Sequence, residues 1–124
     1  MLADRWTQGT FLLVDPEPVG WQACGRFSDL EEGKGVAVQI AGHPIALFLY
    51  DGNVEAIDAR CPHAAGPLDR GWLDGGRVVC PLHRWKFEIR TGQCLTAPDK
   101  PVRHYRTRVD ETGTIWVESG DLAK

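Results

Sequence analysis

An all-β class follows from three features of the 124-residue sequence. Glycine (14) and proline (8) are frequent and scattered, so the chain is cut into short segments with little room for helix. The longest apolar runs, Phe11–Val14 and Ile45–Tyr50, have the length of strands. Turn-forming clusters recur between the apolar segments, as in Ala41–Pro44, Asp51-Gly52-Asn53, Asp74-Gly75-Gly76 and Asp110–Gly113. A composition of 43% hydrophobic and 25% charged residues is that of a globular chain, and the length suits one domain with a single core.

Residues 1–19 read as an N-terminal extension and 20–124 as the domain proper. Trp6 and Phe11–Val14 suit an extra strand packed on the domain as an apron, with contact to another subunit as the alternative. Asp15-Pro16-Glu17-Pro18 then stops regular structure. Trp21–Cys24 is a short strand, and Ser28–Gly33 a turn in which Ser28 can cap one helical turn. Gly35–Ile40 is a strand, and the turn Ala41–Pro44 makes His43 a turn residue rather than a ligand. The unbroken apolar run Ile45–Tyr50 is expected to be buried on both faces. Asp51-Gly52-Asn53 suits a hairpin turn, and Val54–Ala59 returns as a strand and delivers the chain to Cys61. Gly66-Pro67 ends the loop that follows, and Asp74-Gly75-Gly76 turns the chain into Arg77–Val79, which leads to Cys80. Trp85–Ile89 leads away and Thr91-Gly92 turns again. The last element is a hairpin of Val102–Val109 with Thr114–Glu118, in which His104 is structural or exposed. Cys24 and Cys94 read as packing thiols, with a Cys24–Cys94 disulfide as a remote alternative.

No stretch approaches the roughly 20 apolar residues of a membrane helix. The first residues lack the order of basic start, apolar region and small-residue cleavage site that marks a signal peptide. A cytoplasmic protein with no membrane contact is expected. The net charge of −3 is unevenly spread. Residues 1–59 carry three Lys/Arg against nine Asp/Glu, whereas residues 60–90 carry six against three. The basic segment is either a solvated face or a docking surface for an acidic partner. Nucleic acid is excluded as a partner by the acidic balance and the lack of a basic–aromatic motif.

Residues 60–90 also hold Cys61-Pro62-His63 and Cys80-Pro81-Leu82-His83, separated by Ala64–Val79. Each Cys is followed by Pro, which fixes φ and opens a turn. Two thiolates and two imidazoles on two turn-like loops are a metal constellation. One reading is a tetrahedral Cys2His2 zinc site, although such sites usually pair like ligands and Cys-x-His is shorter than their spacings. The other is a [2Fe–2S] cluster with two thiolates on one iron and two imidazoles on the other, which suits the alternating Cys…His order. The bland alternative is two core cysteines and two exposed histidines with no connection.

These loops, with Gly71-Trp72-Leu73-Asp74-Gly75, Val79–Glu88 and Thr91-Gly92, resemble the Rieske iron–sulfur proteins over about Gly20–Glu118. The resemblance implies a Rieske fold: an antiparallel β-sandwich or barrel-like basal unit with residues near 60–90 inserted as a small cluster-binding subdomain. It implies one [2Fe–2S] cluster per chain, with Cys61 and Cys80 on the inner iron and His63 and His83 on the outer, solvent-facing iron. Pro62, Pro67, Pro81, Leu82 and Trp85 become candidates for a lip over the cluster, with packing beneath the loop as an equal alternative for Trp85.

The resemblance also sorts the subfamily. Rieske proteins of quinol-oxidising respiratory complexes carry one more Cys in each loop, joined as a disulfide; this chain has Gly66 and Leu82 there. Those proteins place Ser and Tyr hydroxyls where this chain has Trp85 and Phe87. Hydrogen bonds to sulfur stabilise the reduced cluster, so their loss points to a potential near the low end of the Rieske range, roughly −150 mV. Arg84 replaces a glycine that many members have, and a cation there would raise the potential somewhat. The match is to the ferredoxins of bacterial dioxygenase systems. It implies a one-electron carrier between a flavin-containing reductase and a terminal oxygenase, with no catalytic residue of its own. The chain is too short for the mononuclear-iron domain of a full oxygenase, and no second His/His/carboxylate set is present. The alternatives are the small subunit of a multi-component reductase, such as a nitrite reductase, and a structural zinc module.

Overall fold

The computed structural model describes residues 20–62 and 65–120. Among the described residues, ten strands form three antiparallel sheets. Strands β1 (Trp21–Arg26), β9 (Thr107–Val109) and β10 (Thr114–Glu118) make the first, in the order β1-β10-β9. The second is a meander of β2 (Gly35–Ile40), β3 (His43–Tyr50) and β4 (Asn53–Asp58), extended by β8 (His104–Tyr105). The third is small: β5 (Trp72–Asp74), β6 (Arg77–Val79) and β7 (Lys86–Glu88). The predicted apron strand over Phe11–Val14, with Trp6, lies outside the described residues.

β3 is the central element, and its unbroken apolar sequence explains why. Alternate side chains of a strand leave opposite faces. Ile45 and Leu47 enter a core with Ile40, Val54, Tyr105, Ile115 and Val117, between the first two sheets. Ala46 and Phe48 enter a second core with Ile57, Leu68, Val78 and Phe87, between the meander and the small sheet. Both faces are therefore buried, as the run predicts, and the architecture is a β-sandwich with a third layer on one face.

Three local expectations change. Ser28 caps nothing: a single 3-10 turn spans Phe27–Asp29 with no side-chain cap. Its first N–H, on Phe27, instead donates to the Gly113 carbonyl at 2.8 Å. His43 is the first residue of β3, paired with Ile40, because Ala41 (φ 50°) and Gly42 (φ 83°) complete the turn in two residues. The strand expected over Val102–Val109 divides at Arg106. Tyr105 pairs with Ala56 of β4, whereas Thr107 pairs with Val117 of β10. The Thr107 hydroxyl donates to the Val54 carbonyl at 2.6 Å, which holds the chain at the corner where it changes sheets.

Candidate metal centre

The first loop is built on a fixed stem. The Asp58 carboxylate accepts from the Tyr105 hydroxyl at 2.6 Å and from the Arg103 N–H at 2.9 Å. Burial and that hydrogen bond to Asp58 push the Tyr105 phenol well above its ordinary pKa. Ala59 donates to the Pro44 carbonyl at 3.0 Å and accepts from the Leu68 N–H at 2.7 Å. The chain thus enters Cys61 with its backbone already satisfied on both sides.

The two loops close alike. The Cys61 N–H donates to the Gly66 carbonyl and the Cys80 N–H to the Trp85 carbonyl, both at 2.8 Å. Each cysteine therefore opens a six-residue loop closed by its own amide. Both loops hold left-handed residues other than glycine: Ala65 (φ 54°) in the first, His83 (φ 67°) and Arg84 (φ 61°) in the second. Such residues cost about 1–3 kcal/mol each and persist where the surroundings fix them.

Gly66 joins the loops. A Cβ built there would lie 2.8 Å from Cys80 Sγ and 3.2 Å from Leu82 Cδ1. Positions 66 and 82 therefore face each other, and only a glycine leaves room for the Cys80 sulfur. Cys61 and Cys80 are both buried in the core shared with Leu68 and Phe87. Pro62, Pro81, Leu82 and His83 are exposed. Trp85 is half-buried against that core, so it packs beneath the second loop rather than forming a lip.

The site thus has a buried side of two thiols and an exposed side that carries His83. Such a donor set can hold a group with a thiolate-bound inner half and an imidazole-bound outer half. His63 lies outside the described residues, and among the described residues no three His, Cys, Asp or Glu side chains group around one metal ion. The remaining His and Cys belong to other segments, although Cys94 shares the buried core of Cys61 and Cys80. His104 Nε2 is 3.0 Å from Glu55 Oε1, and Arg90 meets the same carboxylate, so His104 is structural. His43 is exposed. Cys94 accepts from the Ala97 N–H at 3.2 Å, and Cys24 is half-buried, with burial pushing its thiol up to about 11. Neither is in a disulfide. The resemblance already set positions 66 and 82 opposite each other, where respiratory Rieske proteins carry a disulfide. Sequence reasoning did not foresee Asp58 as the anchor of the stem, which depends on residues 45 and 47 positions away.

Three comparisons bear on this site. The family model for the Rieske [2Fe-2S] domain matches residues 20–115. The ferredoxin component of the naphthalene 1,2-dioxygenase/salicylate 5-hydroxylase systems of Ralstonia sp. is 33% identical over 91 residues, covering 73% of this chain and 88% of that protein. Among solved structures, a chain from the complex of reduced oxygenase and oxidized ferredoxin in carbazole 1,9a-dioxygenase is 28% identical with a TM-score of 0.72, covering 82% of this chain and 94% of that one. A chain assigned as an NADH-dependent nitrite reductase small subunit of Mycobacterium tuberculosis is 32% identical with a TM-score of 0.73, covering 78% and 92%. With the match extending over most of its length and over both loops, the chain belongs to the Rieske [2Fe-2S] family.

Proposed function

We propose that this chain is a one-electron carrier, a low-potential Rieske ferredoxin that receives electrons from a flavin-containing reductase and passes them to a terminal oxygenase. Its likeness to a dioxygenase ferredoxin component along 88% of that protein supports this reading. Cys61 and Cys80, with His63 and His83, would hold one [2Fe–2S] cluster per chain, the thiolates on one iron and the imidazoles on the other. The observation that carries the assignment is the pair of matched loops, each closed by its Cys amide and seated together through Gly66.

When bound, the cluster supplies a centre that takes up and releases one electron. The chain sets the conditions. The burial of Cys61 and Cys80 keeps water from the thiolates and fixes their positions. Two neutral imidazoles in place of two thiolates remove negative charge, which lifts the potential above the roughly −400 mV of all-thiolate ferredoxins. Trp85 and Phe87 offer no hydroxyl to sulfur, which keeps the potential near the low end. The exposed His83 is the point of electron exit. No helix among the described residues is long and apolar enough to cross a membrane. Unpaired Cys24 and Cys94 suit a reducing cytoplasm.

Similarity to the nitrite reductase small subunit favours a second reading, in which the chain is a fixed subunit of a larger reductase. Anaerobic potentiometric titration of the purified holoprotein tests the carrier reading. It predicts a single one-electron wave near the low end of the Rieske range. His83→Cys should lower the midpoint. An unchanged midpoint in a loaded His83→Cys protein would remove His83 from the ligand set. Isolation only as a stable complex with a large subunit would favour the second reading.

A further inference from the structure

Cations on this molecule divide into paired and unpaired groups. Away from the ligand loops, Lys34 pairs with Glu31, Arg90 with Asp51 and Glu55, and Arg106 with Glu118. Arg26 donates to the Thr112 carbonyl, Arg103 lies over Tyr105 and Arg108 over Trp21. Arg60, Arg70 and Arg84 are exposed, and none has an ion-pair partner among the described residues. All three sit on the ligand loops or at their edge. Arg60 precedes Cys61 and bridges to Pro67. The Arg70 N–H donates to the Pro67 carbonyl at 3.0 Å. Pro67 continues from Gly66, which meets Cys80 and Leu82 of the loop that carries Arg84. The three exposed arginines therefore sit on one joined pair of loops whose exposed apolar residues are Pro62, Pro81 and Leu82. Between Arg60 and Arg84 the carboxylates are Asp69, which is half-buried and forms no ion pair among the described residues, and Asp74, which pairs with Lys86. Arg77 and Lys100 also form no ion pair among the described residues, but they lie outside the two loops.

We infer that Arg60, Arg70 and Arg84 form a docking ring for a carboxylate-rich protein surface, which seats on the Pro62–Pro81–Leu82 tip and receives or delivers the electron at His83. An apolar centre rimmed by arginine is the composition of a protein interface. Unpaired cations at the rim raise the encounter rate with an acidic partner. This ring is local: it opposes the chain's overall charge of −3. Acidic partner chemistry would not be expected from the total charge. The inference rests on the carrier reading and specifies the partner face.

The opposition of local and total charge makes the test decisive. Reduced holoprotein is mixed with ferricyanide, a trianion, or with hexaammineruthenium(III), a trication; in each case one electron leaves the protein and reduces the probe by one unit. With the ring at the exit, the ferricyanide rate falls on the order of tenfold from low to physiological ionic strength, and the ruthenium rate rises. The opposite pair of slopes, as a charge of −3 demands, would overturn the ring. Arg84→Gln alone should flatten the ferricyanide slope, and Arg60→Gln/Arg70→Gln/Arg84→Gln should reverse it. Arg77→Gln/Lys100→Gln should leave it unchanged, and equal flattening by that control would also overturn the ring. A protein with no bleachable visible band fails earlier, on the carrier reading itself. The class of partner is read from arginine side-chain N–H resonances of the oxidised holoprotein. Polyglutamate should perturb those of the ring before others, whereas preferential binding of duplex DNA of equal charge would overturn the assignment to protein.

Discussion

Gly66 is the residue on which the meeting of the two loops depends. Replacement by alanine would place a methyl 2.8 Å from the Cys80 sulfur, in a core where backbone and Leu82 leave little room to yield. Gly66→Ala is expected to fold but to bind substoichiometric iron, which metal analysis beside circular dichroism would register; full loading with unchanged spectra would show that the contact is dispensable. Asp110 is a second residue with an outsized role, away from the loops. Burial alone would raise its pKa, but hydrogen bonds from Thr112, Trp116 and Thr114 outweigh it and hold the carboxyl below its usual value. The Trp116 indole N–H donates to Oδ2 at 2.9 Å, and the Thr112 N–H to Oδ1 at 2.9 Å. A lowered folded-state pKa means that the carboxylate stabilises the fold above about pH 4 and that this contribution is lost as pH falls through the folded value. Asp110→Ala should cost about 1–3 kcal/mol at pH 7 in urea unfolding, and distinctly less near pH 3.

At the level of elements, β3 separates two cores that can be perturbed one at a time. Leu47→Ala opens a cavity between the two larger sheets, and Phe48→Ala opens one beneath Cys61 and Cys80. Costs of about 2–5 and 3–5 kcal/mol respectively are expected from denaturant melts. Only Phe48→Ala should also speed loss of iron to a chelator; equal loss from both would mean that global unfolding, not the local core, controls release. The strand itself was legible, because six apolar residues in a row between a glycine turn and Asp51-Gly52 leave few other readings. So were β2, β4 and β6, although the turn after β2 is two residues rather than four. The division of 102–109 into β8 and β9 was not. Nothing in Val102–Val109 marks Arg106 as a corner; the corner is set by Val54 and Glu118, which are distant in sequence. The antiparallel pairing of β1 with β10, Trp21 opposite Glu118, was hidden for the same reason. Local sequence specifies strands and turns, whereas partners across nearly a hundred residues are chosen by the burial of both faces of β3.

For the whole molecule, the layers explain why one face is left for chemistry. The sandwich buries the meander on one side, and the small sheet with its two loops covers the other, so the loops converge at the edge of the cluster-side core. The Cys–Pro spacing singles out Cys61, His63, Cys80 and His83; the structure places the two thiols in one core and His83 at the surface, and His63 lies outside the described residues. The unpaired arginines were legible only as a basic segment; which of them lack partners depends on ion pairs formed by the fold. The most direct test of the central claim is electron paramagnetic resonance of the dithionite-reduced holoprotein, with iron and zinc measured on the same sample. Ligation by Cys61, His63, Cys80 and His83 predicts a rhombic signal of average g below that of all-thiolate clusters, with about two iron per chain. A silent sample with one tightly bound zinc per chain would contradict it.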